Sequence, residues 1–249
     1  MVPKLLNTLI IILIFLIFWE GLVVLFGFPT YLFPSFTKVF LAFCDNWSTL
    51  LNNAGITFFE AFIGFLAANF ISLVIAVTIA FYRKFENVVM SIAIILKTMP
   101  VVALVPLLII WFGSGVFSKI IIAMLICFFP AIVNILRGIK SIDDNLIEFF
   151  RVYSANRWQL IKFLIIPSVL PYFFAALKVS SSLAVIGALV GEFIGSNKGL
   201  GFLIISNYYN MNMPFVFASI IVSSLMGIFF YYAIHFLEKK IVLDSREII

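Results

Sequence analysis

Ionisable side chains are sparse in this chain, and where they fall limits the chemistry available to it. The densest group lies between Ser141 and Pro171, where Asp143, Asp144, Glu148, Arg151, Arg157 and Lys162 are interleaved with apolar residues. That mixture suits contact with a soluble partner. Three more ionisable residues, Glu60, Lys97 and Glu192, sit within long apolar runs. A charge in such a run is costly and marks a functional or internally paired site. Enzymatic constellations are missing. His235 is the sole histidine, which excludes a multi-His metal centre, and Ser206 has no histidine near it in sequence to activate it. Neither a pair of Asp within the apolar runs nor an H-E-x-x-H motif occurs. The glycine-rich turn from Gly195 to Gly201 contains a G-x-G match but follows no strand, so it is not read as a nucleotide loop. The available chemistry is binding and coupling.

Composition fixes the setting of these residues. The chain is 64% hydrophobic and 11% charged, against about 25% charged residues in a soluble domain. A large core cannot account for the deficit, because a soluble protein still needs a polar surface. The chain reads as an all-α integral membrane protein. Six apolar spans are predicted, over residues 5–26, 55–82, 88–112, 118–136, 171–194 and 214–237, as one transmembrane domain over 1–249. Each is long enough for a hydrocarbon core of about 30 Å. The first is read as an uncleaved span, with no small-x-small cleavage site after it, and Glu20 as a snorkelling residue near its outer end. Val39 to Phe43 is read as a short interfacial helix, and Gly113-Ser114-Gly115 as a tight turn. Cys127 is read as packing and Cys44 as a loop residue, with no bridge between them.

Charge orients the spans. With the N-terminus inside, the inner segments hold Lys4, Arg83, Lys84, Arg137, Lys140, Arg151, Arg157, Lys162, Lys239, Lys240 and Arg246, and the outer ones only Lys38, Lys119 and Lys198. Basic residues collect on the cytoplasmic side. Both termini and the 141–170 loop are therefore expected in the cytoplasm of a plasma-membrane protein. The net charge of +5 reflects these loops and lipid contact, not nucleic acid.

The 141–170 loop has helical order. Leu146, Phe149, Phe150 and Tyr153 recur at i, i+3, i+4, i+7, with Asp144, Glu148 and Arg151 on the other side. Ser141 with Asp144 fits a capping pattern, so a helix is expected just after Ser141. A second is expected from Ser154, with Trp158, Ile161 and Ile165 as its stripe. Pro167 and Pro171 are expected to break the backbone before the fifth span. In the third span, Pro100 and Pro106 free backbone carbonyls that need other partners.

This loop resembles the coupling loop of ABC-importer permeases, whose pattern is Glu-Ala-Ala, three residues, Gly, nine residues, Ile-x-Leu-Pro. Glu148 matches the leading Glu, Phe149 and Phe150 replace the two Ala, Ser154 stands at the Gly, and Leu164-Ile165-Ile166-Pro167 matches the close loosely. The stretches TMPVVALVPLLIIWFGSGVFSK (98–119), FFPAIVNILRGIKSID (128–143) and AVIGALVGEFIGSNKGLGFLI (184–204) are similar to the same family, in the branch importing sulfonates, taurine, nitrate and pyrimidine-type vitamin precursors. The resemblance implies a permease that binds no nucleotide itself. ATP and Mg would sit on a partner ATPase, an extracytoplasmic binding protein would deliver substrate, and the permease would pair with a second copy of itself.

From these readings, the apolar face of Leu146, Phe149, Phe150 and Tyr153 is expected to dock the ATPase. Asp144, Glu148, Arg151, Ser154 and Arg157 would surround it, and Pro167 would set the angle to the fifth span. Glu192, Lys97, Ser181, Ser182 and Glu60 are the candidates for the substrate path or gate. TFFEAFIGF (57–65) and the Glu60 position resemble the branch importing thiamine-precursor pyrimidines or riboflavin, whereas the sulfonate branch commonly carries a basic residue there. A small heteroaromatic substrate is expected, with sulfonate, taurine or nitrate as the alternative. An ion-coupled secondary carrier is the alternative of another class, resting on Glu60 and Glu192 as intramembrane carboxylates.

Overall fold

The computed structural model describes residues 2–246, with side chains for all of these except 2–6, 8, 9, 151 and 242–246. Among the described residues every regular element is helical. In order they are α1 (Val2–Phe26), α2 (Phe36–Asp45), α3 (Trp47–Phe81), α4 (Glu86–Thr98), α5 (Val101–Phe112), α6 (Val116–Lys140), α7 (Asp144–Val152), α8 (Arg157–Leu160), α9 (Ile166–Gly195), α10 (Leu200–Tyr209) and α11 (Met213–Arg246). Four helical runs are long and apolar enough to cross a membrane: α3, α6, the continuous stretch Arg157–Gly195, and Met213–Ile241 of α11.

The centre of the bundle is α6, packed most extensively against α9 and then α3. Small residues permit the approach. A Cβ at Gly64 on α3 would lie 2.6 Å from Ala123 Cβ, and one at Gly187 on α9 would lie 2.6 Å from Ala123 Cα. Ala123 of α6 is thus wedged between two neighbours that cannot carry side chains. Phe65, Leu50, Phe174 and Val185 fill the core on one side of this crossing. α11 closes the bundle against α9, α10 and α2.

The expected third span is not one straight helix. Its two halves, Arg83–Thr98 and Val101–Phe112, meet at 97°. The cause is local: Pro100 has no N–H, and Met99 before it is extended, with φ −69° and ψ 128°. Residues before proline are driven out of the helical region. At 1.5 Å per residue, the 12 residues of α5 reach only about 18 Å, short of the core thickness on their own. Pro106, by contrast, is absorbed within α5.

The expected break at Pro167 and Pro171 also differs. Helix continues from Arg157 to Gly195 through both prolines. A π-helical turn, Ile161–Ile165, precedes them, and the Ile166 N–H bonds the Ile161 carbonyl five residues back. This wider turn falls just ahead of Pro167, where a proline ring would otherwise crowd the preceding helical turn. The helix feeding the fifth span therefore begins inside the 141–170 loop and not at residue 171.

α1 joins the bundle through Trp19, whose indole N–H donates to the Pro34 carbonyl at 3.1 Å and whose ring lies 5.7 Å from that of Phe217. Its apolar stretch Ile10–Phe26 is shorter than the four spans above. Glu20, expected to snorkel, instead accepts the Thr37 backbone N–H at 3.0 Å and its hydroxyl at 2.9 Å. It caps the first turn of α2 from another helix, where a carboxylate complements the helix dipole. A helix is present where a short one is expected at Val39 to Phe43, and it is longer, Phe36–Asp45.

Candidate functional site

Two polar assemblies stand out, at opposite ends of α3. One is the α7–α8 loop beside Tyr82. The other surrounds Thr57. The helical rise between those residues is about 37 Å.

The loop is built by caps that differ from the sequence expectation. Ser141 does not start α7. Its hydroxyl donates back to the Gly138 carbonyl at 2.8 Å and so finishes α6. Asp143 starts α7, its carboxylate accepting the Asn145 N–H at 2.9 Å in the manner of an N-cap. Nor does Ser154 start the second helix. Asn156 does, in a reciprocal capping box with Gln159. Two competing Ser and Asx signals within a few residues cannot be ranked by pattern alone.

Ser154 has another role. Its φ is +54°, the left-handed region that costs a side-chain-bearing residue about 1–2 kcal/mol. The resembling loops carry glycine at this position, and the turn geometry supplies the reason. Ser154→Gly is expected to stabilise the turn by about 1 kcal/mol and slow hydrogen exchange across 144–160. Ser154→Val should speed it.

The expected apolar stripe divides in two. Phe150 is half-buried and packs with Ile147, Leu160 and Ile161 onto the permease's own core, beside Ile139, Ile142 and Leu164. Leu146, Phe149 and Tyr153 are 47%, 54% and 72% exposed. The Phe149 and Tyr153 rings lie 4.7 Å apart, forming one aromatic surface. Phe150 thus seats the helix and the other three present its outer face. Asp144, Glu148 and Arg157 line a pocket of about 600 Å³ between this loop and the end of α3, together with Phe81 and Arg83. Arg83 reaches Asp144 at 3.5 Å, and Arg157 lies 5.7 Å from the Phe81 ring centroid. These contacts tie the loop to α3. Pro167 is exposed, following the π turn. The Arg151 side chain lies outside the described residues.

At the far end, three N–H groups at the start of α10 are satisfied from other elements. Gly199 N–H donates to Asn53 Oδ1 at 2.7 Å, Leu200 N–H to Thr57 Oγ1 at 2.8 Å, and Gly201 N–H to Glu192 Oε2 at 2.6 Å. Thr57 passes its own proton on, donating to Glu192 Oε1 at 2.7 Å. Helix starts need such acceptors, and here the buried Glu192 carboxylate supplies one of them along with a charge that favours a helix N-terminus. Gly199 is required: its φ is +101°, and any Cβ would collide with that carboxylate.

Lys119 completes this assembly. It is 1% exposed, and its ammonium donates to the carbonyls of Ser114, Gly115 and Gly195, the last two at 3.0 Å. The sequence placed it in an outer loop, following a G-S-G turn. No local signal distinguishes a lysine that folds back onto carbonyls from one in solvent. Glu60, 1% exposed, lies close to Glu192 and Lys119.

Of the expected path residues, the structure joins Glu60 and Glu192 and buries both. Ser181 is also fully buried, its hydroxyl donating to the Lys178 carbonyl of its own helix at 2.8 Å. Ser182 faces outward into an apolar groove of about 560 Å³ between α9, α10 and α11, lined also by Ile186, Phe193 and Tyr231. Lys97 is exposed near the end of α4, its ammonium 4.6 Å from the Phe129 ring centroid, a cation–π contact. Lys178, unmarked in the sequence, pairs with Glu238 at 2.9 Å and links α9 to α11.

Comparison with known proteins supplies the remaining constraint. The family model described as binding-protein-dependent transport system inner membrane component matches residues 68–243. The chain is 33% identical to the formylaminopyrimidine transport permease protein ThiX of Halalkalibacterium halodurans, covering 94% of each chain. It is 34% identical to the riboflavin transport system permease protein RibX of Chloroflexus aurantiacus, covering 93% of this chain and 87% of that one. A putative aliphatic sulfonates transport permease protein, SsuC of Bacillus subtilis, is 31% identical over 78% of this chain and 70% of its own. Among solved structures, an inward-facing form of the MetNI methionine ABC transporter matches with TM-score 0.57 at 20% identity, over 80% of this chain and 93% of that one.

Proposed function

The chain belongs to the binding-protein-dependent transport system inner membrane component family, and on that premise we propose that it is the permease of an importer for small heteroaromatic vitamin precursors. The observation that carries the coupling half of this reading is the outward face of α7. Leu146, Phe149 and Tyr153 are exposed on a helix whose other side is seated on the bundle by Ile147 and Phe150. An apolar aromatic surface held rigidly in a charged loop suits a groove on a separate ATPase, with Glu148 and Arg157 at the rim. That subunit would bind ATP and Mg. The loop faces the cytoplasm in this reading, with both chain termini, because Lys and Arg collect on that side. Six crossings then require the bent α4–α5 pair and α1 each to count as one.

Transmission follows from continuity. The π turn and Arg157–Gly195 form one helical run, so a push on α8 reaches the Glu192 end of α9 without an intervening loop. Two such permeases would face each other across the path, and an extracytoplasmic binding protein would dock over the Gly195–Gly201 end.

The substrate class rests on relatives named for formylaminopyrimidine and riboflavin transport. The Glu60 position no longer argues for it, since that side chain is buried and faces Glu192. ATP-dependent uptake into vesicles holding permease, ATPase and binding protein checks the class. Formylaminopyrimidine or riboflavin is expected to be taken up and taurine not; taurine uptake alone would overturn it in favour of the sulfonate-type alternative.

A further inference from the structure

A pocket of about 520 Å³ lies at the end of the bundle opposite the α7–α8 loop, between the end of α9, the turn after it and α10, with Ser114 at its edge. Both of its walls are fixed by hydrogen bonds. α10 closes on Asn210, whose N–H donates to the Ser206 carbonyl at 3.2 Å. Met211 then enters the left-handed region at φ +56°. Its N–H donates to the Tyr208 carbonyl at 3.1 Å, and the Asn212 N–H donates to the Asn207 carbonyl at 2.9 Å. This Schellman pairing stops the helix with Ser206, Tyr209 and Asn210 three and four residues apart on one face. Opposite them, the Ser196 hydroxyl donates to the Lys198 carbonyl at 2.6 Å, which fixes the turn carrying Asn197. These bonds use backbone groups and Ser196. Among the described residues they leave the carboxamides of Asn197 and Asn210 available to a ligand.

The lining is polar and aromatic but uncharged. Phe193, Phe202 and Tyr209 supply apolar and ring surface, while Asn197, Ser206 and Asn210 supply donors and acceptors. Among the described residues no carboxylate or cation lines it. Lys198 follows Asn197 in the turn but is not part of the lining. Lys119 is bonded to two lining residues, Ser114 and Gly195, yet an ammonium has three donors and all of them go to carbonyls. A sulfonate entering here would shed water without meeting a cation, which is costly. A planar heterocycle is better matched. Its face can stack on Tyr209, 75% exposed, and its ring nitrogens and amino groups suit the paired donor and acceptor of a carboxamide, as when Asn reads adenine.

We infer, on the importer reading proposed above, that this pocket is a receiving site on the permease itself for an uncharged, planar heteroaromatic solute. Tyr209 stacks on the ring, and Asn197 and Asn210 read its edge. Selection then does not rest with the binding protein alone. The volume of about 520 Å³ falls within the range of about 300–1,000 Å³ for small-molecule sites.

The test is equilibrium dialysis of the full-length permease in lipid nanodiscs, without ATPase or binding protein, against riboflavin and formylaminopyrimidine as separate probes. Saturable binding of at least one is expected, with taurine unable to compete. Tyr209→Ala should weaken it about tenfold or more and Tyr209→Phe should retain it, since the ring is kept. Asn210→Ala should also weaken it. Both side chains are exposed, so the melting temperature should not move. ATP-dependent uptake by the complete importer is measured alongside. Uptake of a heterocycle without saturable binding to the permease, or with binding that Tyr209→Ala leaves unchanged, overturns this site and leaves the importer reading standing. Uptake of taurine alone overturns the substrate class, and the site with it.

Discussion

Glu192→Leu is expected to leave little correctly folded permease. The substitution removes the acceptor for Thr57 and for the Gly201 N–H in one step, and leaves Lys119 as a buried cation without its neighbour. Stripping one partner from a buried charged group costs about 3–5 kcal/mol. Total stabilities are about 5–15 kcal/mol, so the change consumes a large share. The melting temperature should fall by about 10 °C or more, measured on detergent-solubilised protein, with a matching loss of monodisperse material. Glu192→Gln keeps one acceptor and should fall between wild type and Leu. A Leu variant as stable as wild type would show that the capping of α10 contributes nothing.

Phe149→Asp should act at the other end, without unfolding the protein. Phe149 is 54% exposed and its loss opens no cavity in the bundle, whereas Phe150 beside it packs on the core. If Phe149 is an aromatic anchor in an ATPase groove, its loss costs about 2 kcal/mol or more of docking, roughly thirtyfold in affinity. Uptake in reconstituted vesicles should drop accordingly while the melting temperature stays within about 2 °C. Phe150→Asp should show the opposite split, with lost stability first. Equal effects from the two would contradict the division of the stripe.

That division marks how far the sequence could be read. Helical periodicity was enough to find α7, because Leu146, Phe149, Phe150 and Tyr153 repeat at helical spacing. It could not say which of them face inward, because two apolar surfaces bound the same helix. The caps differ from the sequence expectation for a related reason: Ser141, Asp143, Ser154 and Asn156 are all competent caps, and tertiary position selects among them. The π turn ahead of Pro167 leaves no compositional trace, so a continuous helix read as a break. Pro100 marks the place of the bend in the sequence but not its 97° angle, since α5 tolerates Pro106 without one.

The far-end assembly was visible only in pieces. Glu60 and Glu192 stood out as carboxylates in apolar runs. Nothing in a pattern joins Thr57 to Glu192 across 135 positions. In the sequence Lys119 reads as a loop residue because it follows Gly113-Ser114-Gly115, and a lysine beside a turn is ordinarily solvated. Its three carbonyl partners come from two separate segments that meet only in the folded chain. Of the residues read from sequence as a path or gate, Glu60 and Glu192 are thus brought together in a buried assembly, Ser181 is buried against its own helix, and Ser182 and Lys97 remain on open surfaces.

The most direct test of the proposed ATP-driven coupling is recovery of the full chain, in mild detergent, from cells that also express candidate ABC ATPase subunits of the same organism. Wild type is expected to retain the ATPase in a stable complex, with Phe149→Asp recovering folded permease alone. If wild type, folded and monodisperse, retains no ATPase, α7 is not a coupling surface and the proposed energy source is wrong.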